Sequence, residues 1–599
     1  MTNNRAVNGG ALSIVSKVNA TIANCDFVNN TATLAGGAIC TEYTNSIEIT
    51  ASTFKENFAE SGGVAFFSDK ITVKTNNITV KNNFAGKGIM YFIESTVTFM
   101  HNTTISDNLG SLIFYYSSVS FKGTTMIVHG VSKISTSEGG AITAFQSIVD
   151  FKGITNLQNN YAIKGGAIHA ASSKLHMYGL ISVSNNTASD SGGGIYLYQS
   201  EVKCNSMSIL ELFGNSARDR GGGILAISST IISEYSFSVR ESYTYTGSTV
   251  SLTSNVAMSF GGGICFENNA KLNVLKLNQN AISGHETALK FDGNIAAYGG
   301  ALYVADDTTS GTCSASSSDK IHSTVTECFF QTSELQEVIT SDSNMTPTKS
   351  VHTKFINNHA FIRGPNLFGG LLDRCTQSSF NEKRHNVTNG LEYLMLFTNI
   401  NSLKSISSDP VQVCFCPDNT PNCSYQLPPI KVRKGETFTV PLVSVDQAGH
   451  TVSATIHSYP KSNESGIGEG QLIQGTADNC TNLTFNVFSP HNYEELIVYA
   501  EGPCKDAPPS QKKIHIKFET CDCSVGFQPI ASDQTKCACE CDTKLAGYVT
   551  ECDYKTKTIV RGGNFWISFI NATANFSDYL IYPHCPLDYC VKITMQRLK

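Results

Sequence analysis

The chain has 599 residues, of which only 15% are charged, with a formal net charge of −6 and a pI near 6.2. Because no Lys/Arg surplus or cluster occurs, neither nucleic acid nor an acidic membrane surface is an expected partner. No apolar run approaches the roughly 18 residues of a membrane-spanning helix, and the length predicts more than one domain.

From its first residue the chain repeats one motif: an apolar residue, two variable residues, Asn, a short polar gap, Gly-Gly and an aliphatic run. The first steps between motif asparagines are 26, 27, 26 and 25 residues, and the next is 52, with one degenerate copy around residues 132–140. The motif asparagines are Asn4, Asn30, Asn57, Asn83, Asn108, Asn160, Asn186, Asn215, Asn255, Asn294 and Asn358. A fixed period in this range predicts a solenoid, because one unit can bury its apolar side only against its neighbours.

Within one repeat, apolar residues alternate at period two, which is typical of strands with one buried face. In each repeat an alternating pair follows the glycine pair, as Ile195 and Leu197 do in one copy. A polar corner and a second alternating pair come next, as with Val149 and Phe151 in another copy, and a third short strand leads into the motif. Three strands and three corners in 26 residues predict an all-β fold, a right-handed parallel β-helix of about 12 coils over residues 1–372. We expect the glycines to adopt positive φ at a corner.

The repeated Asn has two interpretations. A buried amide must be hydrogen bonded, so a ladder in which each Asn bonds its equivalents in the neighbouring coils is favoured. The alternative is a row of exposed Asn side chains that contact a ligand.

Later steps of 29, 40, 39 and 64 residues require loops that leave the corners, and the largest covers about residues 306–353. In solenoids such insertions either bind ligands or are tolerated surface excursions. Six tyrosines could also line a binding face, and alternation directs Tyr196 and Tyr198 outward. The six are Tyr115, Tyr116, Tyr196, Tyr198, Tyr243 and Tyr245.

The motif resembles the repeat of chlamydial polymorphic outer membrane proteins, which also occurs in predicted surface proteins of some early-branching animals. The cleanest copy consists of Phe27, Asn30, Gly36, Gly37, Ala38 and Ile39. The resemblance covers roughly residues 1–370. It implies a parallel β-helix exposed at a cell surface, usually with a role in adhesion.

Cysteines divide the chain sharply. Residues 1–300 contain only Cys25, Cys40, Cys204 and Cys265, whereas 13 cysteines lie between Cys414 and Cys590. Cys40 and Cys265 occupy equivalent positions about eight coils apart, on the order of 38 Å, which is beyond the reach of a disulfide. We predict that the first four cysteines are unpaired.

After the repeat we predict a linker at residues 373–410, an Ig-like β-sandwich at 411–520 and a Cys-rich, EGF-like module at 521–599. Six runs indicate strands: IKVRKG, TFTVPLVSVD, TVSATIHS, LTFNVFS, EELIVYA and KKIHIKFE. Cys-x-Cys spacing without Cys-x2-Cys knuckles favours disulfides over zinc, although their pairing cannot be assigned.

An enzyme is the main rival interpretation, because parallel β-helices include polysaccharide lyases and hydrolases. Such chemistry needs paired carboxylates, or an acidic calcium site with a base. Asp306-Asp307 and His285-Glu286 have no repeated acidic partner on flanking coils. We therefore predict no catalytic, cofactor-binding or metal-ligating residue and no cofactor.

The favoured function is non-enzymatic adhesion or recognition of an extracellular glycan or protein ligand through the lateral face and corner loops. The alternatives are a carbohydrate-active enzyme and a rigid spacer of a larger membrane-anchored receptor. Because residues 1–10 already lie inside a coil, we expect an extracellular or cell-surface fragment without a signal peptide, with any anchor outside this chain. Thirteen Asn-x-Ser/Thr sequons permit glycosylation.

Overall fold

The computed structural model forms two compact units, Met1–Asp409 and Pro410–Lys599. The residues that it describes are 1–132, 139–205, 208–236, 246–247, 249–268, 270–276, 289–305, 330–332, 353–369, 405–408, 412–416, 430–433, 437–446, 449–460, 471–475, 479–486, 495–501, 514–521, 528–530, 533–538, 549–553, 558–561, 566–569 and 579–582.

The first unit is a parallel β-helix with four faces, because each strand pairs in parallel with its equivalent one coil later. We name the faces in the order in which a coil visits them, starting at the strand before Gly-Gly. Face 1 contains Arg5–Asn8, Thr31–Ala35, Phe58–Ser61, Phe84–Lys87, Tyr161–Lys164, Thr187–Ser191, Ser216–Ala217, Val256–Ala257, Ile295–Tyr298 and His359–Arg363. Isolated bridges through Leu109 and Val131 join its two parts.

Face 2 follows the glycine pair and has 13 strands. They are Leu12–Val15, Ile39–Glu42, Ala65–Phe67, Met90–Ile93, Leu112–Tyr115, Ile142–Phe145, Ile168–Ala171, Ile195–Tyr198, Ile224–Ile227, Ile264–Glu267, Leu302–Val304, Leu367–Gly369 and Ile406–Ser408.

Face 3 contains Asn19–Ala23, Ser46–Thr50, Thr72–Asn76, Thr96–Phe99, Ser118–Phe121, Ile148–Phe151, Lys174–Met177, Glu201–Cys204, Thr230–Ser236, Lys271–Lys276 and Phe330–Thr332, with Thr246–Gly247 paired antiparallel to Thr230–Ser236. Face 4 contains Asp26–Val28, Thr53–Lys55, Ile78–Lys81, Thr103–Ser106, Thr124–Val128, Ile154–Gln158, Leu180–Ser184, Ile209–Phe213, Thr249–Thr253, Leu289–Asp292 and Thr353–Ile356.

The parallel β-helix is therefore confirmed, but the expectation of three strands per coil is wrong. The polar gap between Asn and Gly-Gly forms the strands of face 1, as in Thr31–Ala35, which pairs with Arg5–Asn8. Its side chains carry too little alternation to signal a strand, and the backbone ladder alone defines it. Right-handedness remains a prediction.

Stacked aromatic rings fill the interior. Phe99, Phe121 and Phe151 stack with centroids 4.6 and 5.3 Å apart. Phe92 stacks on Phe67 at 5.0 Å. These rings are wholly buried, so equivalent positions in successive coils form the core of the unit.

The predicted Asn ladder is present and is buried at its centre. Asn186 Nδ2 donates to Asn215 Oδ1 at 2.9 Å and to the Leu157 carbonyl at 2.9 Å. Asn186 Oδ1 accepts from the Asn160 backbone N–H and side chain, both at 2.9 Å. The ladder is interrupted between Asn108 and Asn160, where Gly130 takes the ladder position and donates its N–H to Asn160 Oδ1.

The two glycines of a pair serve different purposes. Gly36 has φ 65°, and a Cβ there would overlap the Ile39 carbonyl oxygen. A Cβ on Gly37 would instead overlap the Gly63 carbonyl of the next coil. The first glycine therefore permits the corner, and the second permits close stacking of coils.

Two predicted boundaries need correction. Within the 306–353 insertion, Phe330–Thr332 pairs with face 3 in register with Leu272; the remainder, up to Thr353, lies outside the described residues. Within the predicted linker 373–410, Ile406–Ser408 continues face 2 beside Leu367–Gly369. Neither strand follows a repeat motif, so the sequence period cannot reveal it.

The second unit contains two sheets whose side chains share one core. The first sheet consists of Gln412–Phe415, Thr437–Val445, Thr451–Val452 and Thr481–Asn486. The second consists of Ile430–Arg433, Ile514–Cys521, Glu495–Glu501, Ala454–Pro460 and Gln471–Gly475. Val440 and Leu442 of the first pack with Ile456 and Val498 of the second. Each of the six predicted runs overlaps one or more of these strands.

Three antiparallel hairpins follow: Gln528–Ile530 with Asp533–Ala538, Val549–Asp553 with Thr558–Arg561, and Trp566–Phe569 with Tyr579–Tyr582. The cysteine side chains of the predicted 521–599 module lie outside the described residues. Upstream, Cys416 and Cys480 form a disulfide. Cys25, Cys40, Cys204 and Cys265 are free thiols, as predicted.

Candidate recognition surface

Face 2 has an outward surface rich in apolar and aromatic side chains. Strand register places its second residues in one outer row: Cys40, Phe66, Tyr91, Ile113, Thr143, His169, Tyr196, Leu225, Cys265, Tyr303 and Phe368. A second outer row, two residues further along, includes Glu42, Ile93, Tyr115, Phe145, Ala171, Tyr198, Ile227 and Glu267.

In the later coils this surface is covered by the residues that immediately precede the glycine pairs. The ring of Phe260 lies 4.5 Å from that of Tyr303, and the ring of Tyr298 lies 5.1 Å from that of Phe368. The Lys164 ammonium lies 5.1 Å from the Tyr196 ring centroid. We call Lys164, Arg220, Phe260 and Tyr298 the covering row. Beneath it, Leu225, Cys265 and Phe368 are fully buried.

The earlier coils lack this cover. The equivalent positions hold Ala35 and Ser61, which are too short to reach across the face, and Lys87, which is exposed. Phe66, Tyr91, Tyr115 and Phe145 consequently remain half-buried, and Tyr116 at the adjoining corner is 56% exposed. We call these five residues the open aromatic strip.

The strip is continuous from ring to ring. Phe66 and Tyr91 lie 5.4 Å apart between centroids, and Tyr91 and Tyr115 lie 5.6 Å apart. Tyr115 and Phe145 follow at 5.1 Å, and Tyr116 meets Phe145 edge-on at 6.2 Å. The four stacked residues come from successive coils, so the strip runs along the stack for about 14 Å.

Tyr116 owes its exposure to the backbone. It occupies a corner at φ 52° and donates its N–H to the Phe145 carbonyl at 3.0 Å. Glu94 has the same place one coil earlier, with φ 49° and a hydrogen bond from its N–H to the Tyr115 carbonyl. Positive φ is uncommon for such residues, and the repeated hydrogen bond to the next coil holds the corner in that conformation.

Within the covering row, the half-buried Arg220 forms an ion pair with the buried Glu267 side chain. Arg220 donates to Glu267 Oε1 at 2.6 Å, and Cys265 Sγ lies 3.7 Å from the same oxygen. Burial, together with the Glu267 charge, raises the pKa of the Cys265 thiol well above its usual value. Burial lowers the pKa of Arg220, but the charges of Glu267 and Asp219, the nearby Cys265 and the hydrogen bond to Glu267 together more than offset this, so the pKa is raised overall. A neutral thiol and a permanently charged guanidinium suit a structural role and offer no nucleophile.

The residues singled out in the sequence differ in how exposed they are in the structure. Tyr115 and Tyr116 belong to the strip, and Tyr198 is 42% exposed. Tyr196 does face outward, but it is only 7% exposed because His169 stacks on it at 4.9 Å and Lys164 covers it. Tyr243, Tyr245, His285-Glu286 and Asp306-Asp307 lie outside the described residues.

Among the residues that the structure describes, no group of three or more His, Cys, Asp or Glu side chains could hold a metal ion. Over the same residues, no helix has the length and hydropathy needed to cross a membrane.

Sequence reasoning missed two features that have recognisable signals. The first is the covering row, marked by a long side chain directly before Gly-Gly. The second is a buried Ser ladder in which Ser117 N–H donates to Ser147 Oγ at 2.9 Å and Ser147 N–H to Ser173 Oγ at 3.0 Å. Its signal is a Ser two residues before the first inward apolar residue in six successive face 3 strands, from Ser95 to Ser229, as in Ser147 before Val149.

Residues 24–42 and 180–198 match the Chlamydia polymorphic membrane protein repeat. Each matched stretch runs through one ladder Asn, Asn30 or Asn186, and the following glycine pair into a face 2 strand. No curated protein and no solved structure matches the chain significantly.

Proposed function

Because this chain is a repeat protein of the polymorphic membrane protein type, we propose that it is a non-enzymatic recognition or adhesion protein located at a cell surface or outside the cell. Its ligand binds the lateral surface of face 2 at the open aromatic strip. The ligand is an extracellular glycan or protein. This proposal extends the similarity of the repeat to the function of the whole chain.

The observation that carries the proposal is the contrast between two parts of one surface. The outer row is covered where Phe260 and Tyr298 pack across it, and open where Ser61 takes that position. Half-exposed aromatic side chains in a contiguous patch are typical of recognition surfaces, because they contribute a large contact area at a small cost in conformational entropy.

Sequon positions agree with this choice of surface. The described β-helix carries exposed Asn-x-Ser/Thr sequons at Asn19, Asn29, Asn77, Asn102 and Asn185. They lie on face 3 or at the corners on either side of face 4, and no described strand of face 2 contains one. We infer that the protein is glycosylated when made in a eukaryotic secretory pathway, and that its glycans leave the strip accessible.

We further infer that residues 411–520 form an Ig-like sandwich and that 521–599 form a disulfide-stabilised module. Support comes from the core shared by two sheets and from the Cys416–Cys480 disulfide, which is typical of extracellular proteins.

The test is binding of the labelled full chain to an array of glycans, polysaccharides and extracellular matrix proteins, with release of oligosaccharides monitored in the same wells. A strip variant, Tyr91→Ser/Tyr115→Ser, is compared with a control variant, Phe58→Ala/Phe84→Ala. The control removes two exposed rings that stack at 5.4 Å on face 1. We expect saturable binding that weakens at least tenfold in the strip variant alone.

Equal binding by both variants would place recognition elsewhere and refute the proposed site. Release of oligosaccharides would show a carbohydrate-active enzyme. An array without any bound chain would favour the rigid spacer.

A further inference from the structure

We propose that the occupant of the open aromatic strip is a short extended segment of a protein that carries positive charges beside apolar side chains. This inference rests on the proposed function of the strip and narrows its ligand to one class. Three properties of the strip carry it: the orientation of the rings, the chemistry between them and the charge along its edges.

The stacked rings offer their edges to a ligand. Interplanar angles are 22° for Phe66 and Tyr91, 11° for Tyr91 and Tyr115, and 39° for Tyr115 and Phe145. At centroid distances of 5.1–5.6 Å, each inner ring therefore has its faces occupied by its neighbours. A pyranose ring packs on an aromatic face, and the inner rings have none to offer.

The side chains between the rings are apolar. Ile93 is half-buried in the second outer row, and Ile113 is buried beside Tyr91 in the first. Recognition of a glycan requires several converging hydrogen-bonding groups among the apolar contacts. The ring edges and Ile side chains of the strip pack against Leu-like or aromatic side chains of a polypeptide, and the hydroxyls of Tyr91, Tyr115 and Tyr116 lie where they can hydrogen bond its backbone.

The strip has an acidic edge. On the side of the Tyr116 corner lie Glu42, Asp69 and Glu94, opposed by Lys70 alone. Asp69 and Glu94 are exposed and Glu42 is half-buried. Complementary charge steers and orients a partner, so this edge favours Lys or Arg.

The opposite edge of the strip adds no net charge. Glu60 and Lys87, which lie before the glycine pairs of two successive coils, are both exposed and carry opposite charges. The strip and its edges therefore carry a net negative charge, and the excess lies on the side of Tyr116.

The size of the strip limits the segment. Residues of an extended chain that face one side recur about every 7 Å, so a strip of about 14 Å accepts two or three consecutive same-side residues. A segment of four to six residues covers it.

The test uses fluorescence anisotropy of the full chain with three labelled probes: a hexapeptide of alternating Lys and Leu, its Glu/Leu counterpart, and chitohexaose. We expect the Lys/Leu peptide to bind at least tenfold more tightly than the Glu/Leu peptide. The variant Asp69→Asn/Glu94→Gln should remove most of that preference, and Tyr91→Ser/Tyr115→Ser should weaken binding of the Lys/Leu peptide at least tenfold. The control Phe58→Ala/Phe84→Ala should leave both the charge preference and the affinity for the Lys/Leu peptide unchanged.

Equal affinity for the two peptides, or binding of the Lys/Leu peptide that no strip variant weakens, would overturn the inference. The charge variant alters only partly or fully exposed side chains, so it remains informative if the ring variant folds poorly. Binding of chitohexaose that is lost in the ring variant would also overturn the inference, but it would leave the proposed recognition function intact. The proposed recognition function is tested separately on the array, where equal binding by the strip variant and the control variant would refute it.

Discussion

The ring of Phe260 lies 4.5 Å from the ring of Tyr303, although the two residues belong to different coils and different faces. Phe260 precedes a glycine pair and covers an outward side chain of the next coil. At this position Phe260 and Tyr298 cover face 2, whereas Ser61 leaves Tyr91 uncovered, so a longer side chain in place of Ser61 should close the strip.

A substitution of Ser61 tests whether the residue before a glycine pair covers face 2. Ser61→Tyr puts a long aromatic side chain before the glycine pair, where it is expected to lie across Tyr91 as Phe260 lies across Tyr303. Binding of an array ligand should fall at least tenfold with the strip residues themselves unaltered. Thr33→Tyr is the control, because Thr33 is an exposed face 1 residue that does not directly precede a glycine pair and lies outside any sequon. Unchanged binding by Ser61→Tyr would contradict the covering mechanism.

The Asn ladder should be costly to break in its middle. Asn186→Ala removes hydrogen bonds to Asn160, Asn215 and Leu157 and leaves their buried polar groups unsatisfied. We expect the free energy of unfolding to fall by about 3 kcal/mol. Denaturant titration checks this, with half-buried Asn156→Ala on the neighbouring strand as a control expected to cost under about 1 kcal/mol. Similar costs for both would argue against the ladder.

A buried Thr should be replaceable with a gain in stability. Thr103, Thr125 and Thr155 are in register on face 4, and the structure gives no hydrogen-bond partner for their buried hydroxyls. Thr125→Val keeps the shape and removes the unsatisfied group, so unfolding should require about 1 kcal/mol more. Thermal unfolding measures the effect, and Thr124→Val, at an exposed position on the same strand, serves as the matched control. A lower Tm for Thr125→Val would refute the prediction.

Replacing Arg220 and replacing Glu267 should lower the free energy of unfolding by different amounts. Arg220→Met leaves the Glu267 carboxylate buried without its partner and should cost about 3 kcal/mol. Glu267→Met should cost less, since Arg220 Nε lies 3.1 Å from Asp219 and keeps that contact. The double variant should lose less than the sum of the two, because it leaves no buried charge unpaired. A double-mutant cycle by denaturant titration checks this, and strict additivity would contradict it.

The free thiols should differ in reactivity. Burial raises the pKa of Cys204 to about 12 and that of Cys40 to about 11. Both stay protonated in the folded chain at pH 8, and only Cys25, which is half-buried, should react quickly with iodoacetamide.

Peptide mapping measures that labelling. Unfolded thiols ionise near pH 9, below the folded values, so stability should decline as the pH rises above about 9. Fast labelling of native Cys204 would refute the burial that underlies both expectations.

Much of the fold was predictable from the local sequence pattern. Period-two alternation places Val149 and Phe151 inward, and both are buried. The glycine pairs and the Asn ladder were predictable because each position needs one chemical property in every coil: positive φ at Gly36, close approach of backbones at Gly37, and an amide with both donor and acceptor at Asn186. Such requirements repeat with the coil and are visible as a period.

The candidate site was only partly predictable. Tyr115 and Tyr116 stood out as aromatic residues, but nothing near Tyr196 in the sequence shows that Lys164 and His169 cover it. Their partners lie one coil away, and whether a side chain reaches across depends on the length of the residue before a glycine pair. The strand Ile406–Ser408 was missed for a related reason, since its pairing is with a neighbour and its own residues carry no motif.

The sequence by itself determined that the chain is a repeat protein stacked from similar coils, because the spacing of Asn and Gly-Gly dictates a backbone path that every copy must follow. Only the tertiary structure decided which part of face 2 is exposed. Exposure is a property of neighbouring coils: Phe66, Tyr91, Tyr115 and Phe145 form a surface because register aligns them and because Ala35 and Ser61, at the covering positions of the earlier coils, are short.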